Sequence, residues 1–326
     1  MPLPEALQPL HPFFMVVSFI LGTLVGSFCN VCASRWPAGE SVVSPRSRCP
    51  KCKNPIAWYD NIPLFSWLFL GAKCRHCGLP ISWQYPVVEA ITGVLFFLTY
   101  WRFGLSIATP IYMLFCAAMV IVTFQDLADW TIPNEITFPG IPLGLLVALI
   151  GMFVPGSGLR VTATFGAPIF DALAGVVLGG GILYLLDRIT VLLLKKPGMG
   201  FGDVKLLAMT GAFLGWKGVL GALMIGSVAG SVIGVAMILY FRRKGGEAEG
   251  GKETSEPATA GGMAPASPTE AKSASKAPVQ DEEDEVITLE GHYLPFGPYL
   301  ALGSLIYLFW GPEFLAAYIA SLQGGG

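Results

Sequence analysis

Apolar stretches near the length of a membrane-crossing helix recur along this chain of 326 residues, separated by short polar connections. A helix needs about 20 mostly apolar residues to cross the hydrocarbon core of a bilayer. We therefore predict eight spans, at residues 13–33, 84–101, 105–124, 134–154, 169–187, 204–216, 218–241 and 292–310. An even number of spans places both termini on the same side of the membrane.

The composition agrees with this pattern. Hydrophobic residues make up 53% of the chain and charged residues only 13%, which excludes an ordinary soluble protein. Backbone groups inside a bilayer have to be hydrogen-bonded within the chain, so apolar spans of this kind form helices. We predict an all-α polytopic membrane protein with about eight transmembrane helices and small polar insertions.

Basic residues indicate the orientation. The connection between the first two spans holds seven of them, namely Arg35, Arg46, Arg48, Lys51, Lys53, Lys73 and Arg75. Further Lys and Arg residues lie in two later connections on the same face, at 188, 195–196 and 242–244. Short cytoplasmic loops carry an excess of Lys and Arg. We therefore expect the first loop to be cytoplasmic and both termini to face outward.

The first loop also holds two CxxC pairs, Cys49 with Cys52 and Cys74 with Cys77, separated by 21 residues. This spacing predicts a tetrahedral zinc site with four thiolate ligands. A redox pair or two disulfides are the alternatives, and a cytoplasmic location argues against stable disulfides. Four protein ligands leave no open position, so the zinc would be structural and would drive folding of a small zinc-binding loop domain.

Two aspartates adjoin apolar spans in different parts of the chain. Asp126 follows the third span and Asp203 begins the sixth. Acids at membrane depth are costly and point to function, and two carboxyl groups brought together can divide the acid and base roles. The simpler interpretation is a pair of polar helix ends, with Asp203 favoured by the helix dipole. Asp129 is a rival for Asp126 because it lies three residues later.

Glycines and topology favour the functional interpretation. Gly198, Gly200 and Gly202 come just before Asp203 and permit a close approach of an extended substrate strand. The predicted topology also places Asp126 and Asp203 at the same, cytoplasmic face.

Five segments follow from these patterns. They are a first transmembrane helix at 1–33, a cytoplasmic four-cysteine domain at 34–83, a transmembrane catalytic core at 84–243, a linker at 244–290, and a last transmembrane helix with its tail at 291–326. Residues 245–290 hold 11 acidic residues and 3 lysines among Gly, Ala, Pro and Ser. Such a composition buries too little apolar surface to fold, so we predict a disordered linker.

The motifs, in order along the chain, resemble those of the bacterial type IV prepilin peptidases, which are GxGD membrane aspartyl peptidases. The matching segments are 26–31 with 35–37, 44–52 with the second CxxC pair, 85–89, Asp126 with 132–134, 200–205, and 294–299. The resemblance covers almost the whole chain. The long linker before the last helix is its main departure from the family pattern.

The resemblance implies an enzyme of the bacterial inner membrane with its active site facing the cytoplasm. It would remove the short basic leader of type IV prepilins and type II secretion pseudopilins, with Asp126 and Asp203 as the catalytic pair. The family then N-methylates the new N-terminus with S-adenosylmethionine. The expected partners are these substrates and the lipid bilayer, with no nucleic acid.

Candidates for substrate contact or methyl transfer are less specific. They are Gly26, Asn30, Arg35, Glu89 and Lys205. Polar groups of this kind often only hold membrane helices together, and Glu89 alone would be a buried acid satisfied by a neighbouring helix.

Three other classes of function remain open at this stage. A proton- or ion-coupled transporter would use acids and Gly-broken helices, but the chain shows no inverted repeat and the acids lie at the membrane edge. A membrane redox protein would use the CxxC pairs. A non-enzymatic assembly factor of pilus or secretion machinery would leave both acids idle.

Overall fold

The structure, a computed structural model, describes residues 5–154, 157–159, 163–195, 200–249 and 295–323. The chain divides into two compact units. The first comprises Met1–Val232 with Pro295–Gly326, and it contains every candidate site residue. The second is Ile233–Leu294, and its described residues, 233–249, are helical.

The prediction of an all-α protein is confirmed. The α-helices are α1 His11–Arg35, α2 Phe65–Phe69, α3 Gln84–Phe103, α4 Ala108–Asp129, α5 Asn134–Phe153, α6 Pro168–Leu194, α7 Phe201–Glu249 and α8 Gly297–Gln323. Two 3₁₀ helices, Glu5–Leu10 and Trp58–Asn61, accompany them, and the described residues contain no β-strand. Six helices are long and apolar enough to cross a membrane, which are all the long ones except α3.

Helix α7 contains two of the predicted spans. Its backbone leaves the helical region at Gly215, where φ is 73° and ψ is −179°. A side chain disfavours that conformation, so glycine permits the break. The two predicted spans, 204–216 and 218–241, therefore correspond to the parts of α7 on either side of Gly215.

Helices α1 and α3 pack closely and run antiparallel. A Cβ atom added at Gly26 would lie 2.8 Å from the Cα of Glu89, and one added at Gly22 would lie 2.7 Å from the carbonyl oxygen of Thr92. Small residues allow helix backbones in a membrane to approach this closely. Helix α4 contacts both α1 and α3, and it also contacts α8.

Some helix ends differ from the predicted ones. Helix α4 continues to Asp129, five residues beyond the predicted end, so Asp126 lies inside its last turn. Helix α7 extends to Glu249, six residues into the predicted linker, and 250–290 lie outside the described residues. The last helix begins at Gly297 rather than 292, and 291–294 are also outside the description.

Candidate active site

Asp126 lies buried at the end of α4. The helix ends at Trp130, which adopts a left-handed conformation with φ 57° and donates its N–H to the Asp126 carbonyl at 3.0 Å. Asp126 is 6% exposed, whereas Asp129, one turn later, is exposed. The two candidates are therefore in different environments, and only Asp126 is placed in a protected site.

Asp203 is the third residue of α7 and is 9% exposed. Its backbone N–H donates to the carbonyl of Gly200 at 3.2 Å, which closes the first turn of the helix. Gly198, the first of the three predicted glycines, lies outside the described residues. The acid is thus held at a helix start directly after a glycine-containing segment.

Ile132 connects the two aspartate segments. A Cβ atom added at Gly202 would lie 3.0 Å from the Cβ of Ile132, and one added at Gly297 would lie 3.1 Å from its Cδ1. The Ile132 side chain therefore contacts the starts of both α7 and α8. This contact positions Asp203 and the first residue of α8 on either side of one apolar side chain.

The start of α8 lies directly against Asp126. A Cβ atom added at Gly297 would be 2.5 Å from Asp126 Oδ2, so the backbone at the start of α8 is in contact with that carboxylate. The charge of Asp126 also acts on Asp203. Two buried carboxyl groups under mutual repulsion favour a state that shares one proton, which suits a general acid and a general base.

Lys205 lies two residues after Asp203 on α7, apart from the other methyl-transfer candidates. Its Nζ donates to Asn134 Oδ1. The same ammonium group lies 5.2 Å from the ring centroid of Phe138 and 5.4 Å from that of Phe201. Lys205 therefore joins the start of α7 to the start of α5.

Gln125 is a second buried polar residue beside Asp126 that the sequence did not single out. It is 3% exposed, and its Nε2 donates to Thr131 Oγ1 at 3.3 Å. Its Oε1 has no hydrogen-bond partner among the residues that the structure describes. The polar surroundings of the site thus extend along α4 beyond the acid itself.

The four cysteines of the first loop converge. The sulfurs of Cys49, Cys52, Cys74 and Cys77 all lie within 4.8 Å of one another. A tetrahedral zinc with bonds of about 2.3 Å needs sulfurs about 3.8 Å apart, so this set fits the metal. Cys49 is buried and the other three are half-buried, while His76 is exposed and outside the cluster.

The two CxxC turns are near copies of each other, 25 residues apart. In the first, Cys49 N–H donates to Asn54 O and Lys53 N–H donates to Cys49 O, both at 2.9 Å. In the second, Cys74 N–H donates to Leu79 O and Gly78 N–H to Cys74 O, again at 2.9 Å. Both turns need a left-handed residue after the second cysteine, with φ 61° at Lys53 and 69° at Gly78.

Hydrogen bonds in the loop shift the pKa values of two cysteine thiols in opposite directions. Although the Leu79 N–H lowers it, the pKa of Cys77 is raised to about 11 by burial and by hydrogen bonds with Cys74, Cys52 and Cys49. The pKa of Cys74 is lowered to about 6, first because the backbone N–H of Cys77 donates to its sulfur and then because that of His76 does so too.

Arg75 forms a bidentate ion pair with Asp60 at 2.6 and 2.7 Å. That guanidinium lowers the pKa of Asp60. The ion pair also fixes the second CxxC turn to the 3₁₀ helix Trp58–Asn61.

A cavity of about 730 Å³ lies between α1, α3 and the cysteine loop. Its lining includes three of the predicted methyl-transfer candidates, Asn30, Arg35 and Glu89. Gly26 packs against the Glu89 backbone instead of lining the cavity. The structure thus brings three of the five candidates together and places Lys205 elsewhere.

Each of these three residues also fixes the architecture around the cavity. Asn30 Nδ2 donates to Tyr85 O at 3.1 Å, and Arg35 donates to Ser41 O at 2.8 Å. Glu89 accepts the Leu64 N–H at 2.8 Å.

Glu89 shares the cavity lining with Ser27, which lies near enough to act on its carboxylate. The sequence missed this neighbour and the anchoring of Leu64, since neither is adjacent in the chain to Glu89.

Two family models match neighbouring parts of the chain, one over the cysteine loop and one over the aspartates. A family model described as Bacterial Peptidase A24 N-terminal domain matches residues 20–103, which include α3, most of α1 and the cysteine loop. A model described as Type IV leader peptidase family matches residues 113–235, which include both aspartates.

Curated relatives match over most of the chain. A Myxococcus xanthus protein named prepilin leader peptidase/N-methyltransferase is 37% identical over 340 residues, covering 96% of each chain. Proteins of the same name from Neisseria gonorrhoeae and Pseudomonas aeruginosa are 36% and 29% identical. The match to the Neisseria gonorrhoeae protein covers 71% of this chain and 85% of that protein, and the match to the Pseudomonas aeruginosa protein covers 98% of each. No solved structure matches the chain significantly.

Proposed function

The chain belongs to the type IV leader peptidase family, as its motifs predicted, and we propose that it cleaves the basic leader of prepilins and type II secretion pseudopilins. The protein is an enzyme, a prepilin peptidase with N-methyltransferase activity. It is a multi-pass protein of the inner membrane. The family membership sets aside the transporter, redox and assembly-factor alternatives.

The observation that carries the proposed catalytic pair is the burial of Asp126 and Asp203 at helix ends joined through Ile132. Neither acid forms one of the ion pairs found among the described residues. Two protected carboxyl groups with no cation to neutralise them are costly unless they share a proton. That arrangement is suited to catalysis rather than to stability.

The proposed mechanism needs no covalent intermediate. The ionised member of the pair takes a proton from water, which attacks the scissile carbonyl of the substrate. The protonated member donates to the carbonyl oxygen or to the leaving amine. The two acids act as one titrating unit, so the assignment of the shared proton belongs to the pair.

Gly297 has a positioning role in this proposal. Its missing side chain leaves room for the Asp126 carboxylate. The basic residues of the first loop indicate how the protein is oriented in the membrane. They support a cytoplasmic location for both the aspartates and the cysteines.

We assign methyl transfer to the cavity between α1, α3 and the loop. Its volume of about 730 Å³ lies within the usual range for small-molecule sites, about 300–1,000 Å³. S-Adenosylmethionine supplies an electrophilic methyl group when bound. Glu89 would hold a positively charged amine, Arg35 would bind a carboxylate, and Asn30 would orient either ligand.

Zinc is the proposed metal of the four-cysteine cluster. The sulfurs are close enough for tetrahedral coordination, and a bound zinc would hold all four cysteines as thiolates. With four protein ligands the ion has no open position, so its role would be to fold the loop that walls the cavity.

The deciding experiment incubates purified protein in detergent with a prepilin that carries its basic leader, with and without S-adenosylmethionine. Mass spectrometry should show loss of the leader, and a further gain of about 14 Da only with the methyl donor. A variant lacking both Asp126 and Asp203 serves as the control for contaminating proteases. Intact prepilin after incubation with folded, zinc-loaded protein would overturn the assignment.

A further inference from the structure

The cysteine loop carries a cluster of exposed apolar side chains that neither the peptidase nor the methyl-transfer assignment uses. We call this cluster the apolar foot, and it consists of Trp58, Phe65, Leu68, Phe69 and Trp83. The exposed fractions range from 61% at Phe65 to 86% at Phe69. Large apolar patches of this kind normally mark an interaction surface.

Hydrogen bonds fix which side of α2 faces outward. Ser66 is buried, where its hydroxyl donates to Tyr59 O and accepts the Ile62 N–H. Trp67 donates its indole N–H to Ile81 O at 3.3 Å. Because these bonds hold Ser66 and Trp67 against the loop, Phe65, Leu68 and Phe69 are left on the outside of the short helix.

Helix α2 is attached at membrane depth. The Leu64 N–H that precedes it is bonded to Glu89, which lies five residues inside α3 and packs against Gly26 of α1. Gly26 is nine residues before the end of α1, about 13 Å along the helix axis. The apolar span of α1, Gln8–Arg35, is about 42 Å long against a hydrocarbon thickness of about 30 Å. Centring that span places Gly26 about 7 Å inside the hydrocarbon boundary, so the Glu89 anchor of α2 lies at the depth of the outer acyl chains.

The residue that precedes α2, Leu64, shares a cavity with an exposed part of α1. Leu24 and Phe28, each about half exposed, line the same cavity as Leu64. One cavity wall thus runs from the outer surface of a membrane helix to the start of α2.

The charge of the loop also suits contact with a lipid surface. Residues 36–83 carry five Lys and Arg residues besides Arg75, and only two acids. Both acids are paired, Glu40 with Arg48 at 3.4 Å and Asp60 with Arg75 at 2.6 Å. The remaining positive charge is attracted to the anionic headgroups of a cytoplasmic leaflet.

We propose that the apolar foot inserts into the boundary between headgroups and acyl chains of the cytoplasmic leaflet, so that the zinc loop lies on the bilayer rather than free in the cytoplasm. Trp and Phe side chains favour this region, and a basic rim strengthens their binding. The occupant is the lipid itself, and the inference does not depend on the peptidase activity.

The test compares two positions of equal exposure in the full-length protein, Phe69 and Val43, both 86% exposed. A ketone-bearing phenylalanine analogue at either position accepts a nitroxide label and leaves the seven cysteines untouched. In liposomes of mixed zwitterionic and anionic lipids, collision rates with oxygen and with a water-soluble nickel complex report depth. A label at Phe28, on the lipid-facing side of α1, calibrates the scale.

The ratio of oxygen to nickel collisions should be severalfold higher at position 69 than at 43, and close to that at 28. Equal nickel access at positions 69 and 43 would overturn the proposal, and it would leave a protein partner as the occupant of the foot. Zinc content of each labelled protein checks that the loop is folded. Because both labelled side chains are exposed, neither label is expected to disturb packing.

Discussion

The four-cysteine cluster takes every ligand from one short loop, whereas the aspartate site combines residues from helices far apart in the chain. Cys49 and Cys74 are held by two copies of one local hydrogen-bonded turn. Asp126 and Asp203 are brought together by Ile132 and by the start of α8 at Gly297. The first centre is encoded locally, and the second exists only after the helices have packed.

The difference concerns what each centre needs in order to form. The loop has few buried apolar residues, so metal binding would supply its folding free energy. The aspartate site lies beside a large apolar cluster that includes Val204, Leu206 and Leu300, whose side chains are buried. Packing of that cluster positions the acids without any metal.

The largest expected effect is loss of cleavage in Asp126→Ala and in Asp203→Ala. Removing either half of an acid–base pair should lower the rate by at least about 10²–10⁴-fold, because proton transfer to or from the reacting groups is lost. Mass spectrometry of a prepilin substrate measures it. Asp129→Ala is the matched control and should be mild, because that side chain is exposed. Equal loss in Asp129→Ala would reopen the choice of acid on α4.

Removing the metal should unfold the cysteine loop while the transmembrane helices that carry the aspartate site stay folded. Cys49→Ser leaves an incomplete ligand set, so zinc measured by atomic absorption should fall from about one ion per chain towards zero. Limited proteolysis should then cut within 36–83 while the transmembrane helices stay protected. The comparison would fail if the helices unfolded together with the loop.

Gly297→Ala should impair the aspartate site while sparing the cysteine loop. The added methyl group would meet Asp126 Oδ2 at 2.5 Å and displace the carboxylate. A misplacement near 1 Å can cost about 10²-fold in rate. Gly181→Ala is the control, since a Cβ there meets nothing within 4 Å. Unchanged cleavage kinetics in Gly297→Ala would show that Asp126 tolerates the shift.

Two variants of Glu89 distinguish anchoring from charge at the cavity. Glu89→Ala should destabilise the loop by about 1–3 kcal/mol, because the Leu64 N–H loses its acceptor. Glu89→Gln keeps an oxygen acceptor but loses the negative charge. Methylation assayed by mass should fall in both variants if the charge binds an amine. Normal methylation by Glu89→Gln would reduce Glu89 to an anchor.

The smallest effects are expected at the paired turns. Lys53→Gly should stabilise the metal-bound loop by roughly 1 kcal/mol, because glycine accepts the left-handed conformation at φ 61°. Gly78→Ala at the equivalent position of the second turn should destabilise by a similar amount. Zinc release in a chelator competition measures both. Changes of the same sign would show that the two turns are not equivalent.

Several features were predictable because they depend on neighbours in the chain. The CxxC spacing predicted the four-sulfur cluster, and the apolar stretches predicted the helices, including the break in α7. The end of α4 was harder to predict from the sequence, because residues 125–129 are polar enough to resemble a loop. Tertiary packing extends the helix there and buries Asp126.

Other features had no local signal. Gly297 was part of a recognised motif, but its contact with Asp126 connects residues on different helices. Glu89 was noticed as an acid near a membrane edge, and its role in holding Leu64 required the loop to fold back onto α3. Likewise, the apolar foot is visible only because the inward side of α2 is occupied by Ser66 and Trp67.

The sequence by itself determined the class of protein, the four-cysteine set and the two candidate acids, because hydropathy and cysteine spacing act over short distances along the chain. The tertiary structure alone decided which acid of α4 is protected, what supports it, and which polar residues share a cavity. Those outcomes depend on burial and on contacts between helices. Such contacts arise when apolar surfaces pack together, and no single segment contains the information that specifies them.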